Sequence, residues 1–226
     1  MNRRTSLSLL LGLAFATSLS AADPAPQKVL FLGNSITKHG PKADIGWTGN
    51  WGMAASAEDK DYVHLVTKGL TKSDAPAPQI FVQNIAEFER NYATFDLATK
   101  LKDAVTFAPT LVLLAIGENV PALKNDEEKA LFTKQVTSLL TTLKGPNSPK
   151  FIVRSSFWQN AAKDQCLKQA CDTVSGTYVD IAGFDKVEAN YARSERPFKN
   201  EGVARHPGDR GMQAIADAII KAASQP

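Results

Sequence analysis

The chain has 226 residues, 43% of them hydrophobic and 22% charged, with 26 Lys and Arg against 23 Asp and Glu. That length suits one domain able to bury a sizeable core without disulfides or metals. The near balance of charge argues against a nucleic acid or an anionic membrane surface as partner, since both demand a concentrated basic face.

The amino terminus reads Met1-Asn2-Arg3-Arg4, then an apolar stretch from Leu7 to Leu19, then Ser20-Ala21-Ala22 before Asp23. Charge, apolar run and small residues in that order mark a secretory signal at 1–22, with cleavage expected after Ala22 and a single domain at 23–226. The alternative is a membrane anchor, but the run is shorter than the roughly 20 residues a spanning helix needs. Cleavage leaves 24 basic against 23 acidic residues in a secreted or periplasmic protein with no membrane attachment.

Short apolar, β-branched runs come next at Lys28 to Leu32, Gln79 to Gln83, Thr110 to Ile116, Phe151 to Arg154 and Thr177 to Ile181. They read as buried strands. Between and after them, helical periodicity runs over Tyr62 to Leu70, Phe95 to Val105, Asp126 to Leu143, Ala161 to Gln169 and Asp209 to Ala223. Alternation of strand and helix predicts an α/β fold with a mostly parallel sheet covered on both faces.

Gly33 to Lys60 breaks the alternation: it is long, rich in Gly and holds Trp47 and Trp51. A long loop at the carboxyl end of a first strand is where open α/β proteins place their ligands. Cys166 and Cys171 form a candidate disulfide in an oxidising compartment, which requires the helix to end between them; otherwise both are buried thiols.

Three short segments suit chemistry. Val29 to Leu32 runs into Gly33-Asn34-Ser35-Ile36-Thr37, a turn that exposes Ser35 at the sheet edge, where its own N–H can face a developing oxyanion; otherwise Ser35 merely caps the next turn of chain. A serine hydroxyl needs a base. Of the three histidines, His39 lies close behind Ser35 and suits a substrate contact. His64 sits in a helical pattern, and His206 precedes Pro207-Gly208-Asp209 at the start of the last helix, at the same end of the sheet as Ser35. Leu113 to Ile116 runs into Gly117-Glu118-Asn119, where the Asn119 amide suits an oxyanion donor or an ordinary turn.

In this order these segments resemble the SGNH hydrolases, the GDSL-type esterase and lipase superfamily. Gly33-Asn34-Ser35 resembles the first block, Gly117-Glu118-Asn119 the Gly-x-Asn-Asp block, and His206 the last, over nearly the whole mature chain. The resemblance implies a three-layer α/β/α sandwich on five parallel strands in flavodoxin-like order. It also implies Ser35 as nucleophile, His206 as base then acid, and Asn119 with the Ser35 N–H as oxyanion donors.

Three departures stand out. The acid normally three residues before the histidine is Val203 here, leaving Glu201, Asp209, a backbone carbonyl or a simple dyad to orient His206. Glu89 falls where a glycine usually lends its N–H to the oxyanion hole; its own backbone N–H can serve, but its carboxylate opposes a developing anion. Asn34 and Val120 replace acids beside Ser35 and Asn119.

Trp47, Asn50 and Trp51 suit stacking on sugar rings and contacts to hydroxyls, or else the tryptophans anchor their loop. The expected activity is that of a serine hydrolase cleaving an acyl ester, with an acetylated carbohydrate as substrate. Two alternatives stay open: a glycoside hydrolase using Glu89 and Glu118 as acid and base, and a non-catalytic glycan-binding protein with Ser35 and His206 misaligned. With three scattered histidines, no His-Glu-x-x-His and no phosphate-cradling Gly-x-x-x-x-Gly-Lys run, no metal or cofactor is expected.

Overall fold

The computed structural model describes residues 27–224 apart from 72, 74 and 146; the expected signal and its cleavage site lie outside the described residues. Five strands, β1 (Lys28–Gly33), β2 (Gln79–Asn84), β3 (Leu111–Ala115), β4 (Lys150–Arg154) and β5 (Thr177–Val179), form one parallel sheet in the order β2-β1-β3-β4-β5. Parallel neighbours require crossovers, and helices lie in them: α1 (Tyr62–Leu70), α2 (Ala86–Asn91), α3 (Leu97–Lys100), α4 (Lys102–Phe107), α5 (Asp126–Thr142) and α6 (Ala161–Thr173), while α7 (Glu201–Ala204) and α8 (Asp209–Ala223) follow the last strand. This is the expected α/β/α sandwich in its expected strand order.

The period of two along a strand sorts the core into two layers. Leu30, Leu32, Val112, Leu114 and Val153 face α5 and α6 through Phe132, Val136, Leu139 and Leu167. Val29, Phe31, Leu111, Leu113 and Ile152 face α1 and α8 through Val63, Val66, Met212, Ile215 and Ile219. Asp61, Asn125, Asn160 and Asn200 cap α1, α5, α6 and α7, each accepting from a backbone N–H in the first turn.

Several boundaries differ from expectation. Phe95 to Val105 is not one helix: Leu101, at φ −105° and ψ 9°, separates α3 from α4 and buries its own side chain. Downstream, the last strand stops at Val179 because the Ile181 N–H donates to Ser155 Oγ (2.8 Å) instead of extending the ladder. The short helix α2, which the sequence pattern does not signal, wedges Phe88 and Glu89 into the interior. α6 runs unbroken through Cys166 and Cys171, so the disulfide expectation is corrected to two buried free thiols. Burial pushes the Cys171 thiol up to about 11. Among the described residues, no helix is long and apolar enough to cross a membrane.

Candidate active site

At the carboxyl end of β1 the chain turns sharply. A Cβ on Gly33 would lie 1.8 Å from Thr37 Oγ1, so only glycine permits the turn. The turn is pinned by Met53 N–H donating to the Ser35 carbonyl (2.8 Å) and by the hydrogen bond between Thr37 Oγ1 and Tyr62 Oη (2.7 Å). Ser35 is left half-buried, with its N–H unpartnered among the described residues.

Between α7 and α8 the chain brings His206 over this turn. Ser35 Oγ lies 2.8 Å from His206 Nε2, and His206 Nδ1 lies 2.7 Å from the Gly202 carbonyl. A carbonyl only accepts, so Nδ1 carries the proton and Nε2 turns its lone pair to the serine. Burial holds the imidazole below its ordinary pKa; the Gly202 carbonyl and the Glu118 charge pull upward, and His39 pushes further down. The dyad lines a cleft of about 280 Å³ with Asn119, Trp158, Gly202 and Arg205. A larger hollow, about 860 Å³, lies at the opposite end of the sheet beside Leu111, Lys150 and Thr177.

Beneath the cleft floor lies a buried polar cluster. The Glu118 carboxylate accepts from Arg154 Nη1 (2.7 Å), from the Phe157 N–H (2.8 Å) and from Asn34 Nδ2 (2.7 Å). Burial alone would raise the Glu118 carboxyl, yet Arg154, the Phe157 N–H and Asn34 together hold it below the usual carboxylate range. The Glu89 carboxylate accepts from the N–H groups of Gly117 (2.7 Å) and Asn119 (3.1 Å), from Asn119 Nδ2 (2.7 Å) and from Asn34 Nδ2 (3.2 Å). Burial and the neighbouring Glu118 charge push Glu89 up.

These positions correct several sequence expectations. The Glu89 N–H points back to the Ile85 carbonyl (3.4 Å) at the start of α2, so it does not line the hole. Glu89 is fully buried and the Glu118 side chain is 2% exposed, so neither carboxylate can flank a sugar as acid or base. Asp209 spends its carboxylate on the N–H (2.7 Å) and Oγ (2.5 Å) of Ser56, and Glu201 is exposed with no bond to His206. The Gly202 carbonyl occupies the orienting role instead. Val203 packs beside Trp47, Met53 and Ala54.

Trp47 and Trp51 prove to be loop anchors. Their rings meet edge to face at 5.7 Å, and their N–H groups donate to the carbonyls of His39 (2.9 Å) and Ala55 (3.1 Å). Neither lines the cleft, nor does the exposed Asn50. The aromatic wall is Trp158, whose ring meets His206 edge to face at 5.6 Å. Sequence reasoning missed it, although it lies just after β4, at the same end of the sheet as Ser35 and Asn119. His64 is structural: Nδ1 bonds Asp61 Oδ1 (2.8 Å), and that bond raises its pKa.

The fold is that of SGNH/GDSL-type hydrolases. The chain superposes on an acetyl-xylooligosaccharide esterase from Geobacillus with TM-score 0.56 at 20% identity, over 88% of this chain and 95% of the other. It also superposes on a two-domain esterase active on acetylated mannans (TM-score 0.58, 16% identity), over 87% of this chain and 49% of that one. A Bacteroides uniformis protein described as a GDSL-like lipase matches with TM-score 0.55 at 12% identity, over 88% of this chain and 96% of that one. No protein-family model and no curated protein matches the sequence.

Proposed function

We propose that the protein is an exported serine esterase that removes a short acyl group, acetyl foremost, from a carbohydrate. The observation that carries this reading is the Ser35, His206 and Gly202 relay, at 2.8 and 2.7 Å, set in one cleft with Asn119. Ser35 Oγ attacks the ester carbonyl carbon while His206 Nε2 takes its proton. The carbonyl oxygen becomes an oxyanion facing the Ser35 N–H and the Asn119 amide. Collapse expels the sugar hydroxyl, which receives the proton from His206. Water, deprotonated by His206, then releases the acid from Ser35.

Size and polarity support the substrate class. A cleft of about 280 Å³ lined by Trp158, Gly202 and the polar side chains of Ser35, Asn119, Arg205 and His206 suits a short acyl chain and part of a sugar ring. The structural relatives that act on acetylated xylooligosaccharides and mannans favour the same class. Export rests on the order of residues 1–22 alone. The test is acetate release from acetylated xylo- and manno-oligosaccharides by wild type, Ser35→Ala and His206→Ala, beside chromogenic acetate and long-chain esters. Release lost in both variants, with long-chain esters poorly cleaved, supports the reading. Full release by Ser35→Ala would falsify it.

A further inference from the structure

We infer that Glu89 is a positioning residue that fixes which way the Asn119 side-chain amide faces, and so builds an oxyanion hole of two donors, the Ser35 N–H and Asn119 Nδ2. This rests on the proposed esterase activity.

The two oxygens of Glu89 have different surroundings. Oε1 takes three donors, the N–H groups of Gly117 and Asn119 and the Asn34 amide; Oε2 takes one, Asn119 Nδ2. An asparagine amide presents nitrogen or oxygen depending on a half-turn about its last bond, and only its hydrogen-bond partners decide between them. A carboxylate can only accept, so it selects the nitrogen. Nδ2 carries two hydrogens: one is held by Glu89 Oε2, and the other is left for the cleft that Asn119 lines.

The same carboxylate reaches the nucleophile's turn. Asn34, immediately before Ser35, donates Nδ2 to both Glu89 and Glu118, while its Oδ1 accepts from the Ile36 N–H (3.1 Å). Both oxyanion donors are therefore referred to one buried group. An aspartate at 34 could donate to neither carboxylate, which accounts for Asn34 standing where the SGNH pattern has an acid.

Glu89→Gln separates this role from simple space filling. The glutamine oxygen must take the Oε1 place, because three donors converge there. Its NH2 then faces Asn119, and two NH2 groups cannot pair. The Asn119 amide turns over and presents Oδ1, a lone pair, towards the developing oxyanion. The expected result is a kcat lowered about 100-fold with KM little changed, the loss of one oxyanion donor.

The experiment is a double-mutant cycle of Glu89→Gln and Asn119→Ala on a chromogenic acetate ester, with circular dichroism as the folding check and Ser35→Ala alongside. If Glu89 acts through Asn119, adding Glu89→Gln to Asn119→Ala changes kcat by less than about 3-fold. Wild-type kcat in Glu89→Gln, a change confined to KM, or losses that multiply in the double variant would each overturn the inference. An active Ser35→Ala would instead overturn the underlying esterase reading. Should Glu89→Gln not fold, the wild-type protein trapped with a phosphonate on Ser35 gives the answer. The phosphonyl oxygen is expected on the Ser35 N–H and Asn119 Nδ2 only, and an N–H from α2 on that oxygen would contradict the two-donor hole.

Discussion

His206 Nδ1 donates to the Gly202 carbonyl oxygen, four residues earlier, at 2.7 Å. This bond does two of the three jobs of a triad acid: it selects the tautomer and holds the ring. The third, stabilising the imidazolium by a full negative charge in contact, is left to a carbonyl dipole and to the buried Glu118, which favours the charged ring from a distance. Glu201→Gln should therefore leave kcat/KM within about 2-fold of wild type, since no carboxylate serves His206 directly. A collapse comparable to Ser35→Ala would place Glu201 in the relay after all.

Placing an acid at the position the SGNH pattern suggests should not help. Val203 is 2% exposed and packs beside Trp47, so Val203→Asp buries an unpaired carboxylate. The expected outcome is a lowered melting temperature with no gain in kcat.

The acid limb of the pH profile should report His206. In the proposed mechanism its neutral form is the base, and burial lowers its pKa, so kcat/KM should rise with pH through a value below that of ordinary imidazole and then level off. His39 pushes that pKa down by like-charge repulsion. His39→Gln should move the limb to higher pH; a limb that stays in place would show that His39 does not act on the base.

Breaking the buried Glu118 and Arg154 pair should be costly. Their side chains are 2% and 0% exposed and meet at 2.7 Å. Glu118→Ala strands a buried guanidinium and should cost about 3–5 kcal/mol in urea unfolding. Because the folded Glu118 pKa is depressed, its contribution is present above the unfolded pKa and disappears as pH falls through the folded one. The difference between wild type and Glu118→Gln should accordingly shrink in acid, and a constant difference at all pH would contradict the pairing.

Gly117 has φ +125°, and a Cβ there would meet Ser156 Oγ at 2.2 Å. Gly117→Ala should destabilise the fold by at least about 2 kcal/mol and lower kcat by displacing Asn119. Wild-type melting would mean the turn is far more permissive than its geometry indicates.

Much of this was legible in the sequence because period and breaker residues act locally. The five strands, the start of the long helix at Asp126 and the turn at Gly33 are set by neighbours in the chain. Ser35, Asn119 and His206 were readable because parallel strands deliver their carboxyl ends to one edge. The role of Glu89 was not, since it depends on α2 turning the side chain inward to meet donors 28 to 30 residues away. Asn34 and Glu89 looked like separate departures from a family pattern; in three dimensions they join Glu118 in one hydrogen-bonded cluster. Trp47 and Trp51 misled for the complementary reason: tryptophans in a loop look like a binding surface until their N–H groups are seen capping carbonyls of the same loop.

The proposed reaction makes Ser35 a nucleophile activated by His206. Intact-mass analysis after exposure to a fluorophosphonate tests it most directly. One adduct mapping to the peptide containing Ser35, absent in Ser35→Ala and slowed at least about 100-fold in His206→Ala, is the expected result. Labelling at another residue, or at an undiminished rate in His206→Ala, would contradict it.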